Sequence, residues 1–204
     1  MTINKIAEFF LKNPFVYWSY QGLVGGHKAR KHFVKNDVRP RPNIKLLDMG
    51  CGPGNMIEYL PNLDYTGFDA DKKYIDAAVK KYEEKGLFIH SDIESFEITE
   101  PNSFDIAMAS GLLHHLDDNN AKRFFEIAKT ALKPNGRLIT VDGCYIKGQS
   151  RIAKFLLDQD RGEYIRTQSA YEALAETSFD KVNISIKHSY FNVPYTLIVM
   201  ECIA

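Results

Sequence analysis

Residues 46–54 read Leu46-Leu47-Asp48-Met49-Gly50-Cys51-Gly52-Pro53-Gly54, and nineteen residues beyond Gly50 stands Asp69, in Tyr65-Thr66-Gly67-Phe68-Asp69-Ala70-Asp71. Both stretches are apolar runs that end in an acid, and the first continues into three glycines on alternate positions. Glycine lets a backbone turn sharply and approach a ligand closely. A helix that follows such a turn points free N–H groups at the ligand. An acid that closes the next strand can accept two hydrogen bonds from a ribose diol. The pair therefore describes a nucleoside-bearing cofactor on the first half of an α/β sheet.

The bulk numbers fit one such domain. The chain has 204 residues, of which 45% are hydrophobic and 25% charged, enough for one sizeable core in a globular protein. Lys+Arg and Asp+Glu both count 26, so no global field draws the chain to nucleic acid or anionic lipid. Cys51, Cys144 and Cys202 are odd in number and far apart, which argues against a disulfide framework. No His/Cys spacing suits zinc, so no metal is expected. Glu8 and Lys12 interrupt the first apolar run, and no stretch reaches the length of a membrane span. These features lead to the expectation of a cytoplasmic protein without membrane or nucleic-acid partners.

The chain divides at Arg39-Pro40-Arg41-Pro42-Asn43, a stiff linker. Residues 1–43 form an N-terminal extension, with a helix expected over 3–12. Residues 44–204 form the main domain. Strands are expected at 45–49, 65–68, 87–91, 104–109 and 137–142, with helices at 54–60, 72–85 and 118–132. Pro134-Asn135-Gly136 turns the chain back into the fifth strand. A helix follows at 148–157, and Ser169-x-x-Glu172 reads as a capping box for another. Strands at 182–190 and 195–202, joined by Asn192-Val193-Pro194, read as a closing hairpin. Alternation of β and α means a parallel sheet with right-handed crossovers.

With Asp92 in His90-Ser91-Asp92-Ile93, and Leu112-Leu113-His114-His115-Leu116 after the fourth strand, the chain resembles class I S-adenosylmethionine (SAM)-dependent methyltransferases. The likeness is to the small-molecule branch, methyltransferase type 11/12-like, and it runs motif by motif over residues 44–142. It implies an α/β Rossmann-like sheet of seven strands in the order 3-2-1-4-5-7-6, strand 7 antiparallel, with helices on both faces and an N-terminal helical lid. It also implies residue roles. Asp48 organises the glycine loop, the backbone at Gly50 and Gly52 lies against the methionine part of SAM, and Cys51 and Gly54 count with them as cofactor-binding, Cys51 as a small buried filler rather than a nucleophile. Asp69, followed by Ala70, holds the ribose hydroxyls. Asp92 accepts from the adenine amino group and the Ile93 N–H reaches the ring. The Ser110 carbonyl faces the methionyl amine, and Asp105 is structural. The pattern G-x-G-x-G, the acid at Asp48 and the third acid at Asp92 separate this reading from a nicotinamide dinucleotide fingerprint, G-x-G-x-x-G.

The acceptor side is less defined by the residues. Adjacent histidines point in different directions, so at most one of His114 and His115 faces a substrate as a base; the other packs or caps. Tyr17 and Tyr20, with Trp18 between them, either form an aromatic lid hinged at Gly25-Gly26 or pack on the sheet. The segment 158–163 either shapes the acceptor pocket or is a solvated loop; Arg161 and Arg166 can bind an acidic group. The expected activity is methyl transfer to a small-molecule acceptor. The alternatives are a SAM-binding partner or sensor subunit without turnover, and a nicotinamide-dependent oxidoreductase. Monomer and homodimer both stay open.

Overall fold

The structure, a computed structural model, describes residues 25–160 and 162–204. The helix expected over 3–12, Tyr17, Trp18, Tyr20 and Arg161 lie outside the described residues. The chain runs α1 (Gly26–Phe33), β1 (Lys45–Met49), β2 (Asp64–Asp69), α2 (Lys72–Tyr82), β3 (Leu87–His90), β4 (Phe104–Ser110), α3 (Asp118–Ala131), β5 (Leu132–Tyr145), α4 (Arg151–Asp158), β6 (Arg166–Thr167), α5 (Gln168–Ala175), β7 (Lys181–Lys187) and β8 (Leu197–Ile203). The main sheet has the order β3-β2-β1-β4-β5-β8-β7. Strands β1 to β5 pair in parallel, and β8 is antiparallel to both β5 and β7. This is the expected order, with one addition: the two-residue β6 pairs with the end of β5.

Side chains alternate along each strand, so neighbours serve opposite faces. Leu47, Met49, Ala107 and Ala109 join one core with Phe124 and Phe125 of α3 and Tyr171 of α5. Leu46, Ile106 and Met108 join the other with Phe33 of α1 and Ala78 of α2. Each fully buried Leu, Ile, Met or Phe among these stabilises the fold by roughly 1.5–3 kcal/mol relative to exposure. Helices on both faces leave the strand ends as the open places for a ligand. The order reverses between β1 and β4, and there loops leave in opposite directions and open a crevice at the C-terminal strand ends.

Four local expectations are corrected. Residues 55–59 form a short 3-10 helix rather than an α-helix. Leu60 is already extended there (ψ 147°), as a residue before proline must be. The turn at Pro134-Asn135-Gly136 lies inside β5 as a bulge: Phe104 and Ile106 of β4 face Leu132 and Arg137, and Asn135 takes a positive φ of 64°. The cap of α5 is Thr167, whose hydroxyl accepts from the Ala170 amide, rather than Ser169. Pairing of Thr167 with Tyr145 in β6 holds it extended, as an N-cap requires. The terminal strands are joined by the loop 188–196, not by a tight hairpin. Tyr190 of that loop donates to the buried Asp37 carboxylate, and Tyr195 donates to Asp160. Those contacts use residues a short turn would leave in solvent.

Candidate functional site

The loop after β1 is tied to β2 by three amides. Gly50 and Cys51 both donate to the Phe68 carbonyl at 2.9 Å. Gly52 donates to Asp69 Oδ2 at 2.8 Å, and the Asp71 amide donates to Asp69 Oδ1 at 2.9 Å. Asp71 in turn caps α2 through the Lys73 amide. Gly50, Gly52 and Gly54 all have positive φ, between 53° and 74°. That conformation strains any residue with a Cβ. One carboxylate, Asp69, thus fixes both the glycine loop and the entry to the next helix.

Asp48 sits behind this loop. It is buried, and it accepts a hydrogen bond from Tyr65 Oη at 2.7 Å. Burial pushes its pKa up to about 7; the Tyr65 bond opposes that rise and the charge of Asp69 adds to it. Among the described hydrogen bonds, the carboxylate reaching the loop is Asp69, while the bond of Asp48 runs to the neighbouring strand. Cys51 is buried, and burial pushes its thiol well above the usual range. A thiol held neutral in this way is a poor nucleophile.

A cleft of about 250 Å³ opens over the C-terminal ends of β1, β2 and β3. Its walls include Gly50, Phe68, Asp69, Ala70, Ser91, Asp92, Ile93 and Glu94, with Leu112, Leu116 and Asn120 from the β4–α3 connection. Asp92 is exposed on its rim and accepts from the Ser95 amide at 2.8 Å. Hydrogen bonds from Ser95 hold its carboxyl below the usual range. Five expected site residues therefore share one cleft: Gly50, Asp69, Ala70, Asp92 and Ile93. A smaller cavity of about 150 Å³ lies at the other end of β4, beside Asp105 and Lys133. Its acid is engaged, since Asp105 accepts from the Lys45 amide and the Lys133 ammonium. The larger cleft, where loop, acids and switch point coincide, is the candidate site.

A family profile described as a methyltransferase domain matches residues 47–140, from β1 into β5. The chain is 26% identical over 195 residues to a ubiquinone biosynthesis O-methyltransferase of Paramagnetospirillum magneticum, covering 79% of this chain and 78% of that protein. The profile, this relative and the sheet order together support a class I SAM-dependent methyltransferase. The methyltransferase is also 25% identical over 196 residues to the phosphoethanolamine N-methyltransferase of Plasmodium falciparum, covering 92% of this chain and 70% of that one. Among solved structures, it superposes on Haemonchus contortus phosphoethanolamine N-methyltransferase 2, crystallised with phosphomonomethylethanolamine and S-adenosylhomocysteine. The TM-score is 0.69 at 18% identity, over 92% of this chain and 47% of that one. At that identity the likeness speaks to the fold.

On the far side of the cleft, β4 ends at the exposed Ser110, and Leu113–His115 form a single 3-10 turn. That turn sends the two histidines different ways. His115 is exposed, while His114 is buried, with its Nδ1 2.8 Å from Asp142 Oδ1 and its Nε2 3.5 Å from Asp160 Oδ1. Asp142 stands near the C-terminal end of β5, as Asp48 and Asp69 stand near those of β1 and β2. Its sequence signal is Val141-Asp142-Gly143, an acid after the apolar run of the fifth strand. Arg166 has a structural task. Its Nε and two terminal nitrogens make five hydrogen bonds, to Asp118, to the carbonyls of Leu113 and Leu116, and to that of Tyr164. A guanidinium has five N–H donors, so none is left for an acidic substrate. Among the described residues, no helix is long and apolar enough to cross a membrane.

Proposed function

We propose that the methyltransferase holds SAM in the cleft between the glycine loop and Asp92, and passes its methyl group to a small-molecule acceptor beside Ser110–His115. The observation that carries this reading is Asp69. Each of its oxygens accepts one backbone N–H. A carboxylate offers about four acceptor sites, so capacity for two ribose hydroxyls is left. Asp92, held ionised on the rim, suits an adenine amino group, and the Ile93 N–H suits a ring nitrogen. Gly50 and Gly52 allow backbone to lie against the methionine part, and the Ser110 carbonyl suits its amine.

When bound, the cofactor supplies a methyl group already activated on a positive sulfur. The protein then has to orient an acceptor in line with that methyl and exclude water. Alignment of this kind is worth roughly 7–11 kcal/mol, against about 10²–10⁴-fold for a general base. Positioning is therefore the larger contribution. His115, exposed on the turn after β4, is the histidine placed to reach an acceptor. Tyr17, Tyr20 and Arg161, which lie outside the described residues, are proposed as contacts for the acceptor. The relatives act, by name, on an oxygen and on a nitrogen of different small molecules, so the acceptor atom is left to experiment. The balanced charge of the chain speaks against nucleic acid.

A thermal-shift plate with SAM, S-adenosylhomocysteine and NAD tests the cofactor. A ligand that binds only the folded state raises the midpoint by mass action. The first two should shift it and NAD should not.

A further inference from the structure

We propose that Asp142, Asp160 and Tyr195 are positioning residues acting through His114, a buried clamp that holds the segment after α4 and the β7–β8 loop against the end of β5. This rests on the reading of that side as the acceptor side. Three elements distant in sequence meet around one imidazole, two at the ring and the third through Asp160. From β5, Asp142 Oδ1 takes both the His114 amide, at 3.2 Å, and the Nδ1 side of the ring, at 2.8 Å. From the segment after α4, Asp160 Oδ1 stands 3.5 Å from Nε2. The same segment returns to the turn: the Tyr164 amide donates to the His114 carbonyl at 2.9 Å. From the β7–β8 loop, Tyr195 Oη donates to Asp160 Oδ2 at 2.6 Å.

The fit is close. A Cβ on Gly162 would lie 2.0 Å from His114 Cδ2, so this backbone can pass the ring only as glycine. Asp142 Oδ2 is buried without a hydrogen-bond partner. The charge of that carboxylate is therefore answered chiefly by the ring on Oδ1. Both ring nitrogens face carboxylates, so a neutral imidazole would turn a lone pair toward one of them. An imidazolium suits both. Other groups around the ring are His115, exposed, with its ring centroid 4.2 Å away, and the Arg166 guanidinium on the Leu113 carbonyl. Burial pushes the His114 pKa down, but the hydrogen bond and charge of Asp142, with the charge of Asp160, raise it above its ordinary value of 6.5 by more.

A protonated ring between two acids has no lone pair for a substrate proton. His114 then serves the reaction by placing the wall rather than by acting as a base. Because its pKa is raised, the clamp is complete below the ordinary histidine value and is lost as pH rises through the folded one.

The test is backbone amide exchange of the full chain, read by mass spectrometry over 158–166 and 188–196 and corrected for the intrinsic rate. It runs from about pH 6 to about pH 9, the range that brackets a raised histidine. In the wild type, protection of both segments should fall at least tenfold across that range. In Asp160→Asn it should be low and flat with pH. Tyr195→Phe keeps the ion pair and should loosen 188–196 alone, leaving the pH dependence of 158–166. Flat protection in the wild type, or wild-type pH dependence in Asp160→Asn, overturns the clamp. Calorimetry of S-adenosylhomocysteine with the wild type reports the cofactor reading separately. No binding there would sink that reading and leave the exchange result standing.

Discussion

The Gly52 amide donates to Asp69 Oδ2 over 2.8 Å, so the acid that ends β2 holds the loop that ends β1. One side chain therefore shapes the cradle and offers its remaining acceptor sites to the ligand. The loop should be sensitive at different glycines for different reasons. A Cβ on Gly50 would lie 2.9 Å from Leu112 Cδ1, whereas one on Gly52 meets nothing within 4 Å. Both positions are left-handed, at about 1–2 kcal/mol for a side chain. Gly50→Ala should cost roughly 1 kcal/mol more than Gly52→Ala, because it also overpacks. Urea unfolding of the two variants ranks them, and equal midpoints would contradict the account.

Asp48 carries a stability cost. Its folded pKa, near 7, lies above the ordinary value of 3.8. Its contribution is most favourable below pH 4 and is lost as pH rises through 7, where the buried carboxyl ionises. Asp48→Asn keeps an acceptor for Tyr65 and removes the charge. At pH 8 it should raise stability by on the order of 3 kcal/mol, with little change at pH 4. Unfolding curves at the two pH values check the sign. A variant less stable at pH 8 would show that the ionised acid has a partner beyond Tyr65.

Much of the fold was legible in the sequence because each of the first four strands is an apolar run with an acid or a glycine at its end or within two residues beyond it. Asp48, Asp69 and Asp92 could be found by that rule, and the structure brings Asp69 and Asp92 to one cleft. The length of the β7–β8 loop was not legible. It is set by Tyr190 reaching Asp37 and Tyr195 reaching Asp160, contacts between residues more than thirty apart. Arg166 read as a candidate for substrate because sequence shows a charge and not its partners. His114 and His115 could be told apart only once the 3-10 turn had fixed which ring faces β5.

Arg166 ties the 3-10 turn to β6 and α3 through five bonds from a side chain that is 8% exposed. Lysine keeps the charge but offers three donors without the planar fork. Arg166→Lys should lower stability by roughly 1–3 kcal/mol, the cost of leaving buried carbonyls such as that of Leu113 without a donor. Chemical denaturation measures it. A loss below about 0.5 kcal/mol, typical of a surface change, would mean that the five bonds add little.

The most direct measurement is calorimetric titration of S-adenosylhomocysteine into the wild type and Asp69→Ala, with circular dichroism confirming that the variant is folded. Two hydrogen bonds to a charged acceptor are worth about 1.5–3 kcal/mol each. The account expects one site per chain in the wild type and affinity lowered by on the order of 100-fold or more in Asp69→Ala. Equal affinity in a folded variant would contradict it, since the ribose would then be held elsewhere.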